Sequence, residues 1–238
     1  MEISYINEIM EKGRLIHRGA EAILYLVDFL GTKAILKLRT SKKYRNKELD
    51  NLLRRRRTAR EANILYHLYK NNFPAPKLYY VNLERNAIIM EYLEGLVLKE
   101  YINKLENSDE LYKIGYDIGK LVAHLHNLNV IHNDLATRNF IVTKEKRIYL
   151  IDFGLSMFSH EYKEKALDID VFKRVLDVTH PDECDMIFDA FIKVYTKNAL
   201  NSKETINFYY KLSKMGRYHI RGGVNKIYEN ILHHHKYK

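Results

Sequence analysis

Val130-Ile131-His132-Asn133-Asp134-Leu135-Ala136-Thr137-Arg138-Asn139-Phe140-Ile141-Val142, with Ile148-Tyr149-Leu150-Ile151-Asp152-Phe153-Gly154-Leu155 after it, is the stretch whose reading decides the fold. In each segment apolar residues flank a polar core, the pattern of a loop held between buried strands. His132-x-Asp134 is followed five residues later by Asn139, and Asp152 comes thirteen beyond that. Phosphoryl transfer from a nucleotide needs a divalent cation against the phosphates, and hard cations take oxygen ligands. Asp152 offers a carboxylate and Asn139 an amide oxygen. Asp134 is suited to orient or deprotonate an accepting hydroxyl or water, while Phe153 and Gly154 let the metal-binding turn pack and bend. A buried Asp/Asn turn network without a ligand is the plainer reading of either segment alone. The two together, at this spacing, point to phosphoryl transfer.

The combination resembles the protein-kinase signature His-Arg-Asp…Asn…Asp-Phe-Gly, and further features lie upstream in the matching order. Short β-prone runs occupy Ile23–Val27 and Thr32–Lys37, with a turn at Asp28–Gly31. Lys37, in Ala34-Ile35-Leu36-Lys37, matches the strand lysine that holds the α/β-phosphates. From Leu49 to Lys70 the apolar spacing is helical, and Asn71, Asn72, Pro74 and Pro76 stop it. Glu61 lies in that helix where the kinase ion-pair partner belongs. Alone, each could be an ordinary surface charge; their order gives them weight. Gly19, Ala20, Glu21 and Ala22 form the candidate phosphate-covering loop, with one glycine where kinases have three. Two more strands are expected over Lys77–Asn82 and Ala87–Tyr92. Met90-Glu91-Tyr92-Leu93 then stands where a hinge would be, with backbone groups at Glu91 and Leu93 for an adenine edge.

Four passages narrow the resemblance. They are Arg18-Gly19-Ala20-Glu21-Ala22; Lys37-x-Arg39 with Lys43-Tyr44-Arg45, Glu48-Leu49-Asp50 and Arg57-Thr58-Ala59-Arg60-Glu61-Ala62; Ile151-Asp152-Phe153-Gly154-Leu155-Ser156; and Glu164-Lys165-Ala166-Leu167-Asp168-Ile169-Asp170-Val171 with His180-Pro181. They run from about residue 16 to residue 195. On them the chain resembles the small p53-related-kinase family, the kinase subunit of the KEOPS complex that supports threonylcarbamoyladenosine modification of tRNA. The resemblance implies an α+β, minimal bilobal protein-kinase-like fold. Residues 1–93 would form a β-rich N-lobe with one main helix, and residues 94–238 a reduced helical C-lobe with a basic tail. No Ala-Pro-Glu motif occurs and 84 residues follow Gly154, so no long activation segment is expected. The implied cofactors are ATP and Mg²⁺ or Mn²⁺. The implied activities are Ser/Thr autophosphorylation and partner-stimulated ATP hydrolysis. Two departures stand out. The family's usual His-Gly-Asp-Leu-Thr-Thr-Ser-Asn is here His132-Asn133-Asp134-Leu135-Ala136-Thr137-Arg138-Asn139, and its Arg-Gly-Arg-Lys-Arg tail is replaced by Arg217-Tyr218-His219-Ile220-Arg221-Gly222-Gly223 and an extension to Lys238.

Composition sets the outer limits. The chain has 238 residues, 46% hydrophobic and 29% charged, enough to bury a core. Forty Lys and Arg against thirty Asp and Glu give +10, which favours a polyanionic or phosphate-bearing partner. The densest positive cluster, Arg54, Arg55, Arg56, Arg57 and Arg60, is the candidate tRNA contact; a solvated helix face is the alternative. Tyr44 and Tyr66 beside it are expected to pack. Cys184 is the single cysteine, which excludes internal disulfides and multi-cysteine metal sites. No early stretch has the layout of a signal peptide or the length of a membrane span, so a soluble cytoplasmic protein is expected. His233-His234-His235 reads as a frayed or helical tail. Two other functions remain open: a kinase of a small molecule or another protein, and a nucleotide-gated module that binds tRNA or protein with incidental turnover.

Overall fold

The computed structural model describes residues 2–42, 44, 46–105 and 107–219. Helix α1 (Glu2–Lys12) leads into strands β1 (Arg14–Arg18), β2 (Ala22–Phe29) and β3 (Thr32–Arg39). Helix α2 (Lys47–Lys70) follows, then β4 (Leu78–Asn82) and β5 (Ala87–Glu91). The strands form one antiparallel sheet in the order β1-β2-β3-β5-β4. The β2–β3 hairpin turns at Leu30 and Gly31, both left-handed at φ 55° and 80°, where Asp28 accepts the Gly31 N–H at 2.9 Å. β3 is the central strand, and its alternation divides two tasks. Ala34 and Leu36 pack with Ile6, Ile9 and Val27 under α1. Ile35, Lys37 and Arg39 point to the opposite face, toward α2.

Two N-terminal elements depart from the sequence expectation of strands alone at this end. α1 is a helix because Ile6, Ile9 and Met10 recur at helical spacing and dock on the sheet. β1 is an edge strand whose residues are all exposed, so it carries no alternation to read.

The second half begins with β6 (Gly95–Val97), α3 (Leu98–Ile102) and α4 (Ser108–Asn127). The decisive stretch then forms β7 (Val130–Ile131), one 3₁₀ turn over Thr137–Asn139, β8 (Phe140–Thr143) and β9 (Ile148–Leu150). β10 (Met157–Phe158) pairs with β7, and β6-β8-β9 make a small antiparallel sheet. Helices α5 (Tyr162–Thr179), α6 (Cys184–Asn198) and α7 (Ser202–His219) complete the chain as described. Seven residues separate Gly154 from α5, so no long activation segment lies between them. α4 and α6 cross closely at Gly115 and Gly119. A Cβ there would fall 2.1 Å from the Ile187 carbonyl oxygen or 2.5 Å from that of Phe191. One apolar core joins Leu65 and Leu68 of α2 and Ile88 of β5 to Ile118 of α4, Phe153, Phe172 and Phe191.

The architecture is a β-rich N-lobe and a helical C-lobe. Among the described residues no helix is long and apolar enough to cross a membrane. Lys43, Arg45, the segment from Ile220 onward and His233-His234-His235 lie outside the described residues.

Candidate phosphoryl-transfer site

α2 buries Thr58, Glu61, Ala62, Leu65 and Leu68, a stripe at helical spacing that carries the Glu61 carboxylate. Glu61 is 1% exposed, and a buried charge must be paired. Its partners come from β3. Lys37 Nζ donates to Glu61 Oε1 at 2.6 Å, and Arg39 Nη2 donates to Glu61 Oε2. Lys37 Nζ also reaches Asp152 Oδ1 at 2.7 Å, across 115 residues of sequence. Burial opposes the Lys37 ammonium, but Glu61 and Asp152 outweigh it and hold its pKa above the ordinary lysine value. Burial likewise pushes the Asp152 carboxyl up; Lys37, with the Gly154 N–H, brings it down to about 2.

The turn carrying Asp152 is shaped by local chemistry. Asp152 sits at φ 62°, in the left-handed region that Asp tolerates better than most residues, and its Oδ1 accepts the Gly154 N–H at 3.3 Å. Phe153 is buried as expected and meets the His132 ring edge-on at 5.1 Å. His132 Nε2 lies 3.1 Å from the Ile151 carbonyl oxygen, tying the two motif segments together.

Asp134 and Asn139 form a second cluster. Asn139 Nδ2 donates to the Asp134 carbonyl oxygen at 2.8 Å and to Asp134 Oδ2 at 2.9 Å. Arg138 Nη2 donates to both Asp134 carboxylate oxygens, at 2.7 and 2.9 Å. The donor chemistry fits a hard divalent cation. Asn139 spends its amide nitrogen on Asp134, which turns its oxygen away from that bond. Asp152 spends Oδ1 on Lys37 and Gly154, leaves Oδ2 outside those bonds, and keeps a side chain 52% exposed. Among the described residues no group of three or more His, Cys, Asp or Glu forms a metal cage. Two protein oxygens supplemented by phosphates and water are what Mg²⁺ commonly accepts.

The loop before β2 is built differently from a three-glycine cradle. Gly19 N–H donates to the Ala22 carbonyl at 2.9 Å, closing the turn. The Ala20 carbonyl accepts from Lys42 Nζ at 2.6 Å and from Thr40 Oγ1 at 3.2 Å. Glu21 pairs with Lys42 at 3.1 Å and with Arg57 at 2.8 Å, so side chains of α2 and its lead-in brace the loop. At the end of β5 the Glu91 N–H donates to the Lys77 carbonyl, and Glu91 Oε2 accepts the Lys77 N–H. Leu93 lies half-buried just beyond.

The arginine run divides. Arg54 pairs with Asp50 at 2.8 Å, and Arg57 with Glu21 as above. Arg55, Arg56 and Arg60 are exposed, and none of the described ion pairs involves them. Tyr44 and Tyr66 were expected to pack, but they are 78% and 57% exposed. The helix places Tyr66 outside its buried stripe.

Sequence reasoning missed Asp168 as part of this site, although the residue lies in one of the quoted family passages. Its buried carboxylate accepts the backbone N–H of His132 at 2.6 Å and of Asn133 at 2.7 Å. His126 Nε2 lies 3.3 Å from the same carboxylate, and His126 Nδ1 lies 2.8 Å from the Tyr195 hydroxyl. Asn133 makes this possible by sitting at φ 63°, where Gly or Asn is favoured. The departure from the family's Gly is therefore conformationally mild. The signal was a carboxylate among apolar residues at helical spacing.

Comparison with known proteins accords with this geometry. Residues 33–172 match the family of protein tyrosine and serine/threonine kinases. The KEOPS complex subunit Bud32 of Pyrococcus abyssi is 36% identical over 188 residues, covering 76% of this chain and 84% of its own length. The chain belongs to the Bud32 family of kinase-like proteins. Another member, the EKC/KEOPS complex subunit bud32 of Dictyostelium discoideum, is 34% identical over 222 residues, covering 91% of this chain and 85% of its own length. A bifunctional tRNA threonylcarbamoyladenosine biosynthesis protein of Methanocaldococcus jannaschii is 40% identical over 200 residues, 82% of this chain. This chain spans only about a third of the length of such bifunctional relatives, 36% in that case. The solved structure of Rio2 kinase from Chaetomium thermophilum, a complex with ADP/Mg²⁺ and phosphoaspartate, shares the fold at a TM-score of 0.60 and 15% identity. It covers 90% of this chain and 75% of that one.

Proposed function

We propose that this protein transfers the γ-phosphoryl group of ATP, as an atypical Ser/Thr-type kinase or a partner-stimulated ATPase, in support of tRNA threonylcarbamoyladenosine formation. The observation that carries the chemistry is the Lys37–Glu61–Asp152 array, its Lys37 and Glu61 buried, beside the Asp134–Asn139 pair. Asp152 and Asn139 would hold Mg²⁺, which when bound neutralises phosphate charge. Lys37 binds the phosphates and Glu61 orients it. Gly19, Ala20, Glu21 and Ala22 cover the phosphates, and backbone groups at Glu91 and Leu93 meet the adenine edge. Asp134 accepts a proton from the acceptor hydroxyl or positions a water. Arg138 must swing aside, or tilt to one oxygen, for Asp134 to do so. The KEOPS assembly and tRNA are the partners suggested by the relatives' names. Arg55, Arg56 and Arg60 are the preferred tRNA-facing cations.

The test follows γ-labelled ATP with wild-type protein and Asp152→Ala. Label on the protein, or free phosphate that rises with tRNA or partner and is lost in the variant, supports the reading. ATP binding without metal-dependent turnover in either protein would overturn it and favour a nucleotide-gated binding module.

A further inference from the structure

Arg39 stands in the site without a part in the mechanism just described. It shares the inner face of β3 with Lys37, two residues away, and is 8% exposed. Its Nη2 donates to Glu61 Oε2, opposite the oxygen that Lys37 holds. Its Nε is buried with no hydrogen-bond partner, an arrangement that is costly for a cation serving packing alone. The guanidinium also reaches the metal-binding turn. A Cβ built on Gly154 would lie 3.1 Å from Asp152 Oδ1, 3.3 Å from Arg39 Nη2 and 3.5 Å from Lys37 Nζ. Two cations and two carboxylates therefore form one connected cluster, and their charges balance.

That balance bears on what happens when an anion arrives. Lys37 is bound to Glu61 and Asp152 together. To meet phosphate it must loosen from at least one of them. Glu61 is buried and cannot be left without a counter-ion. We propose that Arg39 is the standing counter-ion of Glu61 and thereby frees Lys37 to engage the phosphate chain of a nucleotide. Arg39 is thus a positioning residue. It acts through Glu61 and Lys37, and it keeps α2 docked inward without an activation segment to hold it there. Arginine suits the task because its planar fork stays charged and can hold one carboxylate oxygen while Lys37 holds the other. This inference rests on the functional reading above for its ligand, but its electrostatics can be tested without any ligand.

The experiment uses the full chain as wild type, Arg39→Gln, Arg39→Lys, Glu61→Gln, and Arg39→Gln combined with Glu61→Gln. Each is checked for folding by circular dichroism and thermal melting. In ligand-free protein, labelling of Lys37 by an amine-reactive reagent at fixed alkaline pH is followed by mass spectrometry. Arg39 repels the Lys37 proton, so its loss should slow labelling by about tenfold, the equivalent of one pH unit. Removing the Glu61 charge as well should restore the rate. In parallel, ADP binding with Mg²⁺ is measured by calorimetry. Arg39→Gln should lose about tenfold in affinity, Arg39→Lys should recover most of it, and the double variant should lose no more than Glu61→Gln alone.

Unchanged labelling and unchanged ADP affinity in a folded Arg39→Gln protein would overturn the proposal and leave Arg39 a packing residue. Losses that simply add to those of Glu61→Gln would also overturn it, since Arg39 would then act elsewhere. Should Arg39→Gln fail to fold, recovery of folding in the double variant supports the pairing, and failure there too counts against it. If the wild type binds no nucleotide while labelling responds as expected, the functional reading fails and the Arg39–Glu61–Lys37 coupling stands.

Discussion

Asp152 is bound by Lys37 yet half open to solvent, and that combination sets its pH behaviour. Its carboxyl is held near 2 in the folded protein, whereas an unfolded chain titrates it near about 4. The folded pKa is the lower one. The stabilisation is therefore fully present above about pH 4 and is lost as pH falls toward 2. Asp152→Asn should flatten the pH dependence of stability within that window, read from denaturant melts in a pH series. An acid limb identical to wild type would contradict the ion pair. Asp134→Asn should lower turnover by about 10²- to 10⁴-fold while nucleotide affinity stays within a few-fold, since the role proposed for Asp134 is at the acceptor and not at the phosphate chain. Single-turnover kinetics and calorimetry separate the two effects; a matching loss of affinity would move Asp134 into nucleotide binding.

At the scale of elements, α5 does what an activation segment cannot do in so short a connection. It supplies Asp168, whose carboxylate fixes the His132 and Asn133 amides and so shapes the loop that carries Asp134. His126 of α4 and Tyr195 of α6 extend the anchor into the helical layer. Asp168→Asn should cost about 3 kcal/mol of stability, from weakened charged hydrogen bonds, and lower turnover more than ADP affinity. Melting curves and steady-state kinetics decide it; a stable variant with normal turnover would remove Asp168 from the site's support. The α4–α6 crossing offers a contrast. Gly115→Ala must push a methyl into the Ile187 carbonyl, so a loss of about 1–3 kcal/mol is expected, with turnover per folded molecule unchanged. A melting temperature equal to wild type would show that the helices separate freely.

For the molecule as a whole, the excess charge of +10 is distributed unevenly in its consequences. Lys37, Arg39, Arg54 and Arg57 are matched to acids inside the fold. Arg55, Arg56 and Arg60 face solvent on α2. Replacing those three with Glu should weaken tRNA binding and reduce the slope of log affinity against log salt by about 2 to 3. Filter binding across a salt series reads both quantities. An unchanged slope would count against Arg55, Arg56 and Arg60 as an RNA contact. Replacing Arg57 instead would disturb the loop at Glu21 and mix the two effects.

By itself the sequence determined the central strands, the long helix, the two motif segments and their order, because apolar period, turn residues and motif spacing are local properties. It also put Lys37, Glu61, Asp134, Asn139 and Asp152 in a sequence order that suggests phosphate chemistry. Only the tertiary structure decided the pairings: which oxygen of Glu61 meets Lys37 and which meets Arg39, that Arg138 closes on Asp134, that Asp168 holds a loop from 35 residues away, and which arginines remain exposed. A charge shows in sequence as a residue type. Its partner is chosen by packing across the fold, where a buried ion must find an opposite charge and an exposed one need not.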